Sequence, residues 1–481
     1  MPPKSVPSQP SPLGVCMSHS LTRILSDLKE SLSVTEQDFT TGSIGRAVTL
    51  LAVPMVLELS MQSVFGVVDL FFVARLGSRA VATVGLTEAV LTIVFAIATG
   101  LGMGATALVA RRIGEKSPGA AALATGQAII ASLAISIPIS LAGLLSAGSI
   151  LELMGASRGV VEVGTGYNLV MLTGSATILL LFVINAVFRG TGDALTAMRV
   201  LWAANLLNMV LDPLLIFGLG PFPEWGVTGA AVATTLARAA GVLYQLAILS
   251  SPRSRLPLTA RCFRLNAALL WKLIRISLGG VLQLLIGTAS WLGLVRIIAV
   301  FGNAALAGYT IGLRIIVFAI LPSWGMSNAA ATLVGQNLGA GQPDRAERSV
   351  WLTGFANMVF LALLTVTFVV LAEPLARLFT AEAEVIPHAV DCLRFISYGY
   401  VFYAYGMVVS QAFNGAGDTY TPTLANFVCY WILQIPLAYF LAFPAEMGVR
   451  GVFAAIAISE SILAVVIVLL FRRGRWKKTR V

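Results

Sequence analysis

Phe188-Arg189-Gly190-Thr191-Gly192-Asp193 returns 225 residues later as Phe413-Asn414-Gly415-Ala416-Gly417-Asp418. The same displacement carries Leu76-Gly77 onto Phe301-Gly302, Leu108-Val109 onto Leu333-Val334 and Gly114 onto Gly339. One offset held across more than a hundred residues marks a duplicated unit, and the sequence between the copies shows what the unit is made of. Long runs rich in Leu, Ala, Val, Ile and Gly alternate with short breaks of charge, Gly and Pro. They predict helices over 47–73, 86–110, 120–145, 159–187, 196–218 and 226–250, then 272–300, 306–333, 349–373, 385–412, 420–443 and 449–471. Six spans separate the copies, an even number, so the halves share orientation and relate by an axis along the membrane normal. The expected fold is an all-α polytopic membrane protein with 12 transmembrane helices in two pseudo-symmetric six-helix bundles around a central cleft.

Composition supports the membrane assignment. The chain is 57% hydrophobic and only 11% charged, with mean hydropathy +0.88; soluble domains carry about 25% charged residues. So little charge cannot cover a water-facing surface, and at roughly 20 apolar residues per span there is room for a dozen helices with short loops. The alternating ten-residue segments of an outer-membrane barrel are absent. Four scattered cysteines (Cys16, Cys262, Cys392 and Cys429) and two histidines (His19 and His388) give no disulfide framework, zinc site or haem attachment. No cofactor is expected. The Gly-x-Gly-Asp pair lacks the Lys-Ser/Thr and the strand of a phosphate loop, so it reads as turns and caps, and no ATP-driving motif appears.

The net charge of +10 sets topology rather than nucleic-acid binding. With the amino terminus inside, the inner segments hold 23 of the 32 lysines and arginines, the outer loops hold 5, and Arg238, Arg296, Arg314 and Arg394 lie within spans. Both termini are therefore expected in the cytoplasm of a multi-pass protein of the inner or plasma membrane. The organisation reads as a flexible tail over 1–43, an amino-terminal lobe over 44–250, a connector over 251–271, a carboxy-terminal lobe over 272–471 and a basic tail over 472–481. With such minimal loops a receptor or scaffold is disfavoured and a monomer in contact with membrane lipid is expected.

A charge near the bilayer centre costs roughly 2.5–3.5 kcal/mol on insertion scales, so intramembrane acids are functional candidates. Asp69 lies six residues before Arg75 and Asp212 six before Gly218, which puts both about 9 Å below the outer boundary at about 1.5 Å per residue. Asn208 shares the face of Asp212 one turn away, and Pro213 weakens the backbone ladder beside it. Tyr167 and Thr234, each eight residues into a helix that enters from outside, sit about 12 Å deep. The repeat places Leu294, Cys392, Leu433 and Leu437 opposite Asp69, Tyr167, Asn208 and Asp212. Packing needs are similar in both halves, so packing does not explain polarity in only one. A buried carboxylate pair suits reversible protonation, the same oxygens suit Na⁺ at Asp69, Asn208, Asp212 and Thr234, and simple bonding between helices is the alternative.

Glu58 is eleven residues from Asp69, about 1100° of helical turn at about 100° per residue. That returns it to nearly the same face, where it lines the cleft or bonds locally; Gln283 is its repeat partner. Glu88 reads as interfacial. Arg296, Arg314, Arg394 and Glu460 give the second half its own intramembrane charges, with Arg314 and Glu460 a candidate structural pair or part of substrate selection.

Val68-Asp69-Leu70-Phe71-Phe72-Val73-Ala74-Arg75-Leu76-Gly77, the Phe188–Asp193 hexapeptide, Asn208-x-x-x-Asp212-Pro213 and Gly229-Ala230-Ala231-Val232-Ala233-Thr234 together resemble the multidrug and toxic compound extrusion (MATE) family. Gly335-Gln336-Asn337-x-Gly339-Ala340-Gly341 and Asn414-Gly415-x-Gly417-Asp418 extend the likeness over about residues 43–471. The resemblance implies export of drugs or toxic organic compounds, often cationic, in exchange for H⁺ or Na⁺. Its DinF-like branch uses an amino-lobe cation site whose pattern falls on Asp69, Tyr167, Asn208, Asp212 and Thr234. NorM-like members carry carboxy-lobe acids where this chain has Gln283, and a tyrosine common one turn before the first-helix acid is Phe65 here. The expectation is a cation-coupled antiporter with a small organic substrate, no resident metal and no enzyme activity. The alternative is a flippase for lipid-linked or polysaccharide precursors, which would more naturally carry a basic cavity.

Overall fold

The computed structural model describes residues 26–27, 29–33, 38–251, 254–256 and 258–479. Most of the tail expected over 1–43, with Cys16 and His19, lies outside the described residues, as do the last two residues of the basic tail. Among the described residues twelve helical passes follow one another. The first six are α1 (Ile44–Ala74), α2 (Ser78–Gly114), α3 (Pro118–Leu153), the pair α4 (Arg158–Thr173) and α5 (Ser175–Thr191), α6 (Ala194–Phe217) and α7 (Gly226–Ser250). The second six are α8 (Ala267–Ala299), α9 (Asn303–Gly339), α10 (Pro343–Arg377), the pair α11 (Ile386–Ser397) and α12 (Tyr400–Ala416), a composite pass and α15 (Val449–Arg472). The composite pass joins α13 (Tyr420–Phe427) and α14 (Ile435–Ala442) through a π-helical stretch, Val428–Gln434. Among the described residues ten helices, the composite pass counted as one, are long and apolar enough to cross a membrane, and α4–α5, bent by 43°, makes an eleventh span. The α11–α12 pair stands at its repeat position and completes the second set of six.

The structure departs from the sequence reading at the helix ends. The spans expected at 86–110 and 306–333 extend to Ser78–Gly114 and Asn303–Gly339, because polar, small-residue turns continue the helices beyond the apolar core. The fourth and tenth passes are each broken, at Gly174 and at Tyr398–Gly399. The connector expected over 251–271 is shorter, since Asn266 caps α8 by accepting from the Leu269 amide at 3.1 Å.

The repeated Gly-x-Gly-Asp motif is a junction. Gly192 and Gly417 close α5 and α12 in the left-handed region, at φ +91° and +86°, where glycine is the unstrained choice. Asp193 and Asp418 then accept from the amides of Thr196 (3.0 Å) and Thr421 (3.2 Å) at the start of the next helix.

Each lobe has its own hydrophobic core, one centred on residues such as Leu101, Ile184 and Ala231 and the other on Leu361, Cys392 and Phe453. The lobes meet at the end that carries both described termini. A Cβ on Gly114 would come within 1.9 Å of the Gln336 carbonyl oxygen, and one on Gly339 within 2.1 Å of the Arg111 carbonyl oxygen. These are the same contact seen twice, since 225 residues separate Gly114 from Gly339 and Arg111 from Gln336. The pseudo-two-fold axis therefore runs between them. Hydrogen bonds from Thr332 to the Arg189 carbonyl (3.1 Å) and from Gln336 to the Gly190 carbonyl (3.0 Å) lie at this end too. Along α1 the nearer half is buried through Leu51 and Met55 against Ala329 and Leu333 of α9. Its farther half exposes Val64, Val67 and Phe71. The lobes are closed at the termini face, while the farther half of α1 is exposed.

Candidate functional site

The amino-lobe polar cluster is built on α6. One helical turn brings Asn208 beneath Asp212, and its amide nitrogen donates to Asp212 Oδ1 at 3.1 Å and to Thr234 Oγ1 of α7 at 3.1 Å. Asp212 is fully buried and Asn208 nearly so. Tyr167 of α4 is buried beside them, and Asp69 of α1 lies within electrostatic reach of Asp212 and Tyr167. Asp69 makes no hydrogen bond to the Asn208–Asp212–Thr234 trio among the described residues. Three oxygens of this region, Asp69 Oδ1, Asn208 Oδ1 and Asp212 Oδ2, are buried without a hydrogen-bond partner. Leaving such oxygens unmatched in a low-dielectric interior is costly, and a proton or a small hard cation is what they are suited to receive. The repeat positions Leu294 and Cys392 are fully buried parts of the other lobe's apolar core.

Arg238 belongs to this region and was not assigned a role from sequence. One turn beyond Thr234 on α7, its guanidinium lies 5.8 Å from the Phe95 ring centroid and within reach of Asp69 and Tyr167. Its presence in a span was the available signal. Its partners come from α1 and α4, distant in sequence.

Glu58 takes the local-bonding alternative. It is 3% exposed, and its Oε1 accepts from Arg189 at 2.7 Å and from Asn185 at 3.3 Å. Asn185 Oδ1 in turn accepts from Gln245 at 2.7 Å. At the repeat positions Gln283 donates to Asn414 at 3.0 Å and to the Thr419 carbonyl at 3.1 Å. The carboxy lobe thus keeps the linkage as a neutral bond where the amino lobe uses an ion pair. Removing one partner of a buried ion pair costs about 3–5 kcal/mol. Arg189→Ala, which leaves Glu58 with Asn185 alone, is accordingly expected to lower the detergent-solubilised protein's Tm by several degrees, and Asn414→Ala by less. Equal melting of both variants and the unmodified protein contradicts that assignment.

The candidate pair Arg314–Glu460 does not form. Arg314 on α9 is exposed and lies within electrostatic reach of Glu88 on α2 of the other lobe. Glu460 on α15 accepts from the Tyr430 hydroxyl at 3.4 Å instead. The two residues sit on different helices and find different partners, which spacing in sequence did not reveal. Arg394 donates to the Val369 carbonyl at 3.2 Å, and Arg296 is exposed.

The MatE family profile matches residues 54–214 and 278–440, one copy in each half. The chain is 27% identical over 440 residues to the probable multidrug resistance protein NorM of Thermotoga maritima, covering 90% of this chain and 93% of that one. It is 26% identical over 433 residues to the FAD transporter of Shewanella oneidensis, covering 89% and 95%. Among solved structures, the outward-facing conformation of a multidrug resistance MATE family transporter of the MOP superfamily superposes with a TM-score of 0.85 at 28% identity. That match covers 92% of this chain and 98% of the other.

Proposed function

Because the chain belongs to the MatE family, and is therefore a multi-pass membrane transporter rather than an enzyme, we propose that it exports small organic, cationic or amphipathic compounds by exchange for H⁺ or Na⁺. The observation that carries the coupling is the set of unmatched, buried oxygens on Asp69, Asn208 and Asp212, the last two joined on α6 and Asp69 of α1 within electrostatic reach of Asp212. The termini face is cytoplasmic in this reading, in keeping with the excess of Lys and Arg on it, and the protein acts as a single chain in the inner or plasma membrane.

With the lobes closed at that face, the gap opens outward, and a cation from outside reaches Asp69 and Asp212. Charge neutralisation removes the repulsion between the two carboxylates and lets α1 and α6 repack. The Asn208 amide bridges Asp212 and Thr234, so a change at the carboxylate passes directly from α6 to α7. Arg238 holds a compensating charge near Asp69 when the cation has left. A ligand shifts such an equilibrium only by its differential affinity for the two states, so cation and substrate must favour opposite ones. The amino-lobe acids together with Gln283 at the carboxy-lobe position favour the DinF-like branch. A flippase is not favoured, because the cluster at this depth is acidic.

Proteoliposomes test the reading. Efflux of a fluorescent organic cation is expected to accelerate under an inward pH gradient or an inward Na⁺ gradient imposed separately. Indifference to both sinks the antiport assignment.

A further inference from the structure

We propose that Glu460 and the tyrosines around it form a recognition site for the positive charge of the exported compound, in the carboxy-terminal lobe and separate from the Asp69–Asp212 cluster. The inference rests on the export reading and names where the cargo's charge is held. Glu460 lies eleven residues from the start of α15, about 17 Å in at about 1.5 Å per residue, near the middle of the span. It takes part in no ion pair among the described residues, and no cation is among the groups that act on it electrostatically. An intramembrane carboxylate without a counter-charge calls for one from elsewhere.

The surroundings are those that receive organic cations. Tyr430 bonds the carboxylate from a π-helical stretch of the preceding pass. Pro436 follows that stretch and offers no amide to close an ordinary helical turn, and such irregularities re-aim side chains at functional sites. Tyr403 and Tyr400 of α12 stand in the electrostatic neighbourhood of Glu460. The Tyr400 hydroxyl is buried, at 3% residue exposure, and has no hydrogen-bond partner. Trp324 of α9, 42% exposed, stands beside Tyr403. Aromatic faces around a carboxylate attract a desolvated organic cation through the ring quadrupole as well as the charge.

The duplication supplies a control. Gly226-Val227-x-Gly229 at the start of α7 recurs as Gly448-Val449-x-Gly451 at the start of α15, a displacement of 222, which places Glu460 on the position of Arg238. In the amino lobe that position carries a cation facing Asp69 of its own lobe. In the carboxy lobe it carries an acid with no such partner. The two halves have opposite polarity at one helical position, and only the amino-lobe charge is matched from within.

Equilibrium dialysis of the purified full-length protein with tetraphenylphosphonium, and with neutral triphenylphosphine oxide as the control, tests this. Glu460→Gln is expected to weaken tetraphenylphosphonium binding about tenfold or more, Glu460→Asp less, and neither to change binding of the neutral probe. Undiminished tetraphenylphosphonium binding by Glu460→Gln, an equal loss of both probes, or no binding by the unmodified protein overturns the site. Gradient-driven efflux by the unmodified protein reports separately on the export reading, which survives each of these results.

Discussion

Asp69→Asn is expected to abolish gradient-driven efflux while leaving the protein folded. Asparagine fills nearly the same volume on α1, and Asp69 makes no hydrogen bond to the Asn208–Asp212–Thr234 trio that the substitution would break. What is lost is the ability to change charge. Without it, cation and substrate no longer favour opposite states, and the coupling free energy, typically 1–3 kcal/mol for linked sites, disappears. Asp212→Asn is expected to do the same with some additional loss of stability, because Asp212 accepts the bond that holds Asn208. Efflux from cells or proteoliposomes, read together with monodispersity on size exclusion, separates the two effects. Full resistance to a toxic organic cation in cells producing Asp69→Asn protein removes Asp69 from the mechanism.

Gly114→Leu is expected to prevent closure of the termini face and to stop transport by a different route. The added Cβ would sit 1.9 Å from the Gln336 carbonyl oxygen, and backbone on both sides leaves nothing flexible to yield. The lobes must separate there, breaking the bonds from Thr332 to Arg189 and from Gln336 to Gly190. A cysteine placed at Thr332, buried in the closed interface, reports the change in a background with the native cysteines replaced by serine. It should resist a membrane-impermeant thiol reagent from the termini side in the parent and react rapidly with Gly114→Leu. Retained protection together with retained transport contradicts the role given to this contact.

Much of the architecture was legible because the bilayer imposes it. Apolar runs of span length, breaks of charge and glycine, and the 225-residue displacement define passes and lobes before any contact is known. The reading of Gly-x-Gly-Asp as a turn followed by a cap held for the same reason, since both features are local. Pairings between helices were less legible. Arg189 sits inside that same motif, yet its charge meets Glu58, 131 residues away. Charge alone left Arg314 and Glu460 as either a structural pair or part of substrate selection, whereas the fold bonds Glu460 to Tyr430 and sets Arg314 within electrostatic reach of Glu88. The break at Tyr398–Gly399 and the π-helical stretch leave little trace in hydropathy, because apart from Gln434 their side chains are apolar or aromatic. The contrast between duplicated halves singles out Asp69, Tyr167, Asn208 and Asp212 as polarity that packing does not require, and the fold bonds Asn208 to Asp212 and Thr234. Arg238 escaped because its partners lie on other helices.

Cation uptake by the purified protein is the most direct measure of the central claim. Titration in detergent with Na⁺, and separately with acid in the presence of a pH indicator, is expected to show saturable binding that an organic substrate displaces. The Asp69→Asn, Asp212→Asn double variant should show none of it. Cation uptake that persists undiminished in that variant, and is still displaced by substrate, contradicts the assignment of coupling to these two aspartates.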